Sequence, residues 1–152
     1  MDTYLIKPIG IVQNKVNDKV DENWGKIRSK IVLTKDYSSG LLGLAEFSHV
    51  IILTILNEAH FEAGQHLRRH PRGLEDLPLV GIFAQRAKDR PNRIGITAVK
   101  LLEVGEDYFE VEGLDAINGT PVVDVKPYYP AYDCREDAKV PAWVDFILNN
   151  YF

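Results

Sequence analysis

Four cations crowd into the run from Leu79 to Gly95, LVGIFAQRAKDRPNRIG, where Arg86, Lys88, Arg90 and Arg93 surround a single acid, Asp89. Pro91 fixes its own backbone and pushes the preceding residue towards extended geometry. Gly95 closes the loop. Guanidinium forks and an ammonium on a stiff loop suit a carboxylate or a phosphate. A solvated basic connector is the competing reading of the same residues. Residues 66–100, with Arg68, Arg69, Arg72 and Lys100, hold eight Lys/Arg against three Asp/Glu within a chain of net charge −4. A basic sector on an acidic chain fits a local anionic partner and not a long DNA duplex.

Two further stretches carry chemistry. Asp124 and Lys126 alternate onto one strand face, where they can pair, and Tyr128 follows on the same side. A structural ion pair and a substrate-facing lysine with a ring for base stacking are both open there. Gly113 to Gly119 combines a tight turn with Asp115, which can cap its own backbone. His66 and His70 have the spacing of helical metal ligands, but Arg68 and Arg69 lie between them and Pro71 ends any helix near His70. No metal site is expected.

The elements that position these residues are mostly short strands. Leu5–Gln13 reads as a first strand interrupted by Pro8. Ile27, Ser29, Ile31 and Leu33 alternate with Arg28, Lys30 and Val32, as in a half-buried strand. Val50–Leu56 is apolar on both faces and suits a central strand. Gly81–Arg86, Ile94–Val104, Tyr108–Glu112 and Thr120–Lys126 follow, with turns at residues 105–107 and Asn118-Gly119. Helix signals are sparse: Val140–Asn150, with Trp143, Phe146 and Ile147 on one face, and a short helix or loop over Glu58–Arg69. The pattern predicts one mainly β domain over residues 1–152, an antiparallel β-barrel with a few short helices including a C-terminal one. A Gly-x-Gly-x-x-Gly turn in a strand–helix alternation is missing, so the pattern by itself does not suggest a nucleotide-binding α/β sheet.

Composition sets the outer bounds. The chain has 152 residues, 45% hydrophobic and 26% charged, as in an ordinary folded domain. Apolar runs fall well short of the roughly 20 residues of a membrane helix. The start, MDTYLIKPIG, lacks the cation-then-apolar order of a signal peptide. One cysteine, Cys134, excludes an internal disulfide. A cytoplasmic location is the default expectation.

GIFAQR followed by RPNRIG, then GLDAINGTPVVDVKPYYPAYD over residues 113–133, resembles the YaeB/TrmO-like family of S-adenosylmethionine-dependent tRNA methyltransferases. FSHV at 47–50 and PIGIV at 8–12 extend the likeness over most of residues 5–133. The resemblance implies a β-barrel that binds S-adenosylmethionine near a homodimer interface and methylates the exocyclic amine nitrogen of threonylcarbamoyl-adenosine beside the anticodon. It implies a cofactor pocket made by Arg86, Ile96 and the segment Asp115, Ala116, Ile117 and Asn118. Many family members carry Asp where Asn118 stands. Asp21, Asn23 and Trp24 lie where relatives have a Pro-Arg-Gln element, and Asn57 and Glu58 lie where relatives have His-Gln. Trp24 is then placed to cover an adenine ring, although a lone tryptophan is more often core.

On that reading the cofactor supplies an electrophilic methyl, and the protein aligns the acceptor and excludes water. Asp115 and Asp124 are the carboxylates able to help remove the amine proton. Arg68, Arg69, Arg72, Lys88, Arg90 and Arg93, with Lys126 and Tyr128, form the expected tRNA-facing set. The alternatives are a methyltransferase of the same fold acting on another small molecule or RNA, and a non-catalytic module that keeps the cofactor pocket.

Overall fold

The computed structural model describes residues 2–18, 20 and 22–152. Among the described residues, eight strands and three short α-helices run in order: β1 Gly10–Gln13, β2 Arg28–Leu33, β3 His49–Ile55, α1 Ala63–His66, β4 Arg68–Arg69, β5 Val80–Gly81, β6 Ile94–Val104, β7 Tyr108–Glu112, β8 Pro121–Pro127, α2 Pro130–Asp133 and α3 Ala142–Leu148. Six strands close an antiparallel barrel in the order β1-β2-β7-β6-β3-β8, and β8 returns to β1 through Gly10↔Val122 and Ile11↔Pro121. β4 and β5 form a separate two-stranded ribbon in the excursion between β3 and β6.

Period-two alternation builds the core. Ser29, Ile31 and Leu33 of β2 point inward, as do Val50, Ile52 and Thr54 of β3 and Val99 and Leu101 of β6. They meet Val12, Phe109, Val111, Leu114 and Val122, all buried. Full burial of a branched aliphatic or aromatic side chain stabilises by about 1.5–3 kcal/mol, so this cluster dominates the stability of the fold.

Two expected strands are corrected. The first is confined to β1, because Pro8 has no N–H to donate and only Ile9 onward bonds across the barrel, from Ile9 N–H to Val122 C=O at 2.8 Å. Gly81–Arg86 is not a strand: β5 ends at Gly81 and a 3-10 turn over Ile82–Ala84 follows. The Gln85 amide ends the ladder by donating to the carbonyls of Arg69 at 3.0 Å and Val80 at 3.2 Å. In contrast, β6 and β7 match their expected ranges, and β3 and β8 are each displaced by one residue. His66 and His70 do not share a helix, since α1 ends at His66 and His70 is extended. His66 Nδ1 accepts from the Glu62 N–H, and His70 Nδ1 donates to the Leu77 carbonyl.

β6 has eleven residues and β7 five, and this mismatch shapes the barrel mouth. Their pairing starts at Lys100↔Glu112, so β6 from Ile94 to Val99 has β3 on one side only. The chain leaving β7 runs on beside that uncovered edge.

Candidate active site

Asp115 lies three residues past the end of β7, level with the uncovered start of β6. Its Oδ1 accepts from the Thr97 hydroxyl, and its Oδ2 accepts from the Tyr151 hydroxyl at 2.8 Å. Thr97 is 7% exposed and points into the barrel between Ile96 and Ala98, whose side chains face outward. A carboxylate held by two hydroxyl donors keeps further lone pairs for a ligand.

The turn that carries Asp115 is locked to the other side of the mouth. Asn14, just past β1, donates from Nδ2 to the Ala116 carbonyl at 2.8 Å and to Ser29 Oγ at 2.9 Å. The Asn118 N–H donates to the Val16 carbonyl at 2.7 Å, and Gly119 N–H to the Val12 carbonyl at 2.8 Å. Ala116 is buried, Ile117 half-buried and Asn118 exposed. Gly119 has φ +82°, which suits glycine, and Thr120 Oγ1 closes the turn on the Ile117 carbonyl.

Arg86 reaches the same mouth from the basic loop, where its guanidinium donates to the Ile96 carbonyl. That places Arg86 beside Ile96. Asn57 and Glu58 form the exposed turn directly after β3, at the same end of the barrel. Asn23 adopts a left-handed conformation (φ 63°), which asparagine tolerates, and begins the 3-10 turn that carries Trp24. Asp21 lies outside the described residues. The Trp24 ring does not lie open over the mouth: it is 3% exposed, and its Nε1 donates to the Val20 carbonyl at 3.1 Å. Trp24 is thus one of the buried hydrophobic residues.

Asp124 is not brought to Asp115. It faces outward from β8 opposite Leu53, next to Lys126 opposite Ile51, and the two pair at 2.8 Å. The Asp124 carboxylate pushes the Lys126 ammonium above its usual pKa. Tyr128 follows at the far end of β8, its ring 6.4 Å from His49, and with Ser48, Ala98 and Pro130 these rings line a recess of about 460 Å³. Asp115 and Asp124 therefore belong to different surfaces.

The basic loop is stitched more than it is displayed. Asp89, with its side chain 16% exposed, accepts the His60 N–H at 3.1 Å and pairs with Arg69 at 3.5 Å and Lys88 at 3.4 Å. Burial alone would raise its pKa, but the His60 amide and the Lys88 charge outweigh it and hold the carboxyl below its usual value. Arg90 donates to the Gln85 carbonyl at 3.0 Å and Arg93 to the Ala59 carbonyl at 2.9 Å. Their first role is thus to close the excursion. Arg68, Arg72, Arg86, Lys88 and Lys100 are the exposed cations of the sector.

Sequence reasoning missed Asn14, Thr97 and Tyr151. A signal existed for Thr97: Ser29, Thr54, Thr97 and Thr120 are all buried polar residues, and all sit at this one end of an otherwise apolar barrel interior. Tyr151 gave no such signal, because it joins Asp115 only through the fold.

A family model for the tRNA-methyltransferase O N-terminal domain matches residues 20–134. The chain belongs to this family. A probable S-adenosyl-L-methionine-binding protein of Methanothermobacter thermautotrophicus is 37% identical over 132 residues, covering 84% of this chain and 92% of the relative. The human tRNA (adenine(37)-N6)-methyltransferase is 36% identical over 126 residues, but these are 82% of this chain and 27% of the human protein. Among solved structures, TrmO from Pseudomonas aeruginosa superposes with a TM-score of 0.76 at 29% identity, covering 94% of this chain and 62% of that one. The TrmO fold thus accounts for the six-stranded barrel, and this chain spans less than two thirds of that crystal structure.

Proposed function

We propose that this TrmO-family chain is an S-adenosylmethionine-dependent methyltransferase that modifies tRNA at the exocyclic amine nitrogen of threonylcarbamoyl-adenosine beside the anticodon. One observation carries the reading: Asp115, Ala116–Asn118, Arg86 at Ile96 and the Asn23 turn come from distant parts of the sequence and meet at one barrel mouth. The donor set fits the cofactor, since a carboxylate with lone pairs to spare suits its hydroxyl or ammonium groups and a guanidinium suits its carboxylate. When bound, the cofactor supplies an activated methyl group on a sulfonium. Arg86 and Asp115 orient it, the 115–118 turn limits water, and Asp115 is a carboxylate at the mouth able to take up the amine proton. Arg68, Arg72 and Lys88 offer charge for RNA phosphates. The Asp124–Lys126 pair and Tyr128 are assigned to tRNA contacts on the outer wall. A tRNA acceptor implies a cytoplasmic location.

A homodimer is part of the proposal. Ile94 and Ile96 are exposed on the outer wall of β6, and Tyr129 just before α2, Tyr132 within it and Phe146 in α3 are exposed as well; aromatic side chains enrich interface cores. Light scattering at micromolar concentration should return twice the 17.2 kDa chain mass. Methyl transfer from labelled cofactor to bulk tRNA, followed by nucleoside mass spectrometry, tests the function. Methylated threonylcarbamoyl-adenosine supports it. Cofactor binding without transfer to any RNA would replace it with the binding-module reading.

A further inference from the structure

We propose that Tyr151 is a cofactor-positioning residue, which holds the Asp115 carboxylate in its binding orientation while residues 149–152 form one wall of the site. This rests on the reading of the barrel mouth as the S-adenosylmethionine site. Tyr151 lies 36 residues from Asp115 in sequence, yet its hydroxyl donates to Asp115 Oδ2 at 2.8 Å, while Thr97 holds the other oxygen. Two donors on two oxygens fix the plane of the carboxylate. A flexible carboxylate would have to be ordered as the ligand binds, at a cost in affinity.

The segment is docked and does not merely lie alongside. The Asn23 N–H donates to the Asn150 carbonyl and the Trp24 N–H to the Tyr151 carbonyl, both at 2.8 Å. Gly25 leaves the space this requires: a Cβ there would come within 2.5 Å of the Phe152 backbone. The Tyr151 ring is held on two sides, edge-on to Phe152 at 4.9 Å and with the Arg72 guanidinium 5.8 Å from its centroid. The 149–152 segment therefore joins the Asn23–Trp24 turn, the 115–118 turn and the basic sector in one place. The opposite possibility is that Tyr151 competes with a ligand hydroxyl for Asp115 and obstructs the site. The two make opposite predictions for affinity.

The test is calorimetric titration of the full chain with S-adenosylmethionine. Tyr151→Phe keeps the ring and its packing but removes the donor, so the cofactor Kd should rise about five- to tenfold, because only the part of that bond that orients Asp115 reaches the ligand. The melting temperature of the cofactor-free protein should fall by about 3–12 °C, a stability cost read separately from affinity. Gly25→Ala displaces the segment with Tyr151 chemically intact, and should weaken cofactor binding at least as much. An unchanged or tighter Kd in Tyr151→Phe would overturn the proposal. Wild-type protein that binds no cofactor would instead overturn the functional reading, and this inference with it.

Discussion

Replacing Asp115 by asparagine asks how much of the barrel mouth depends on a charge and how much on shape. In the native site one oxygen takes the Thr97 hydroxyl and the other the Tyr151 hydroxyl. Asparagine keeps a single acceptor oxygen. Thr97 is buried and has the stronger claim on it, which leaves the amide NH2 facing Tyr151. The phenol can turn its hydrogen to water and accept from the amide, so both contacts survive as neutral bonds. Charge-assisted hydrogen bonds are roughly twice as strong as neutral ones, and bonds to charged groups contribute about 1.5–3 kcal/mol against 0.5–1.5 for neutral pairs. Two such exchanges lose about 2 kcal/mol in all. For a domain of this size that is a fall in Tm of about 4–8 °C. Asp115→Ala should cost more, because the Thr97 hydroxyl is then orphaned in the interior. Thermal melts of the three proteins, each paired with a cofactor titration, measure both effects. Cofactor affinity should fall at least about tenfold in both variants, one charged contact being worth about 1.4 kcal/mol or more. Equal melting temperatures and equal cofactor affinities across the three would refute the idea that Asp115 organises the mouth.

Three other outcomes are expected. Arg68→Glu, at an exposed cation away from the stitched part of the loop, should weaken tRNA binding and reduce its salt dependence by about 0.7–0.9 log units per lost phosphate contact, with cofactor affinity unchanged; filter binding across a salt series would expose the reverse. The Asp89 carboxyl has a folded pKa below its usual value, so the stability it contributes is full above the ordinary carboxylate pKa of about 4 and is lost as pH falls through the lower folded pKa. Asp89→Asn should therefore flatten the acid limb of a stability–pH profile below about pH 4, and an unaltered limb would contradict this. Phe109→Ala empties a fully buried position in the barrel core and should cost about 3–5 kcal/mol in a denaturant melt; a loss under 1 kcal/mol would show that the core is not centred there.

Much of the architecture was legible in local pattern. Alternation in Ile27–Leu33, Ile94–Val104 and Tyr108–Glu112, and the apolar run at Val50, specify strands because a period of two leaves one face for the core. The Asp124–Lys126 pair was legible for the same reason. Gly81–Arg86 misled because its apolar side chains look like a strand, whereas its backbone bonds run from the Ile82 N–H to the Leu67 carbonyl and from the Gln85 N–H to the Ile82 carbonyl, which closes a 3-10 turn.

The motifs at residues 79–95 and 113–133 supplied candidate residues from sequence alone, since each motif is a contiguous stretch whose turn and charge chemistry is local. Which of those residues work together was not local information. Register decided it: β7 stops six residues short of the start of β6, so Asp115 comes level with Thr97 while Asp124 is carried to the outer wall. Asp89 similarly turned the basic loop from a displayed patch into a stitched one, because its partners His60 and Arg69 arrive from 20 to 29 residues away. Tyr151 was beyond reach of the sequence altogether, as its partnership with Asp115 exists only once backbone bonds from Asn23 and Trp24 have drawn the 149–152 segment across the mouth.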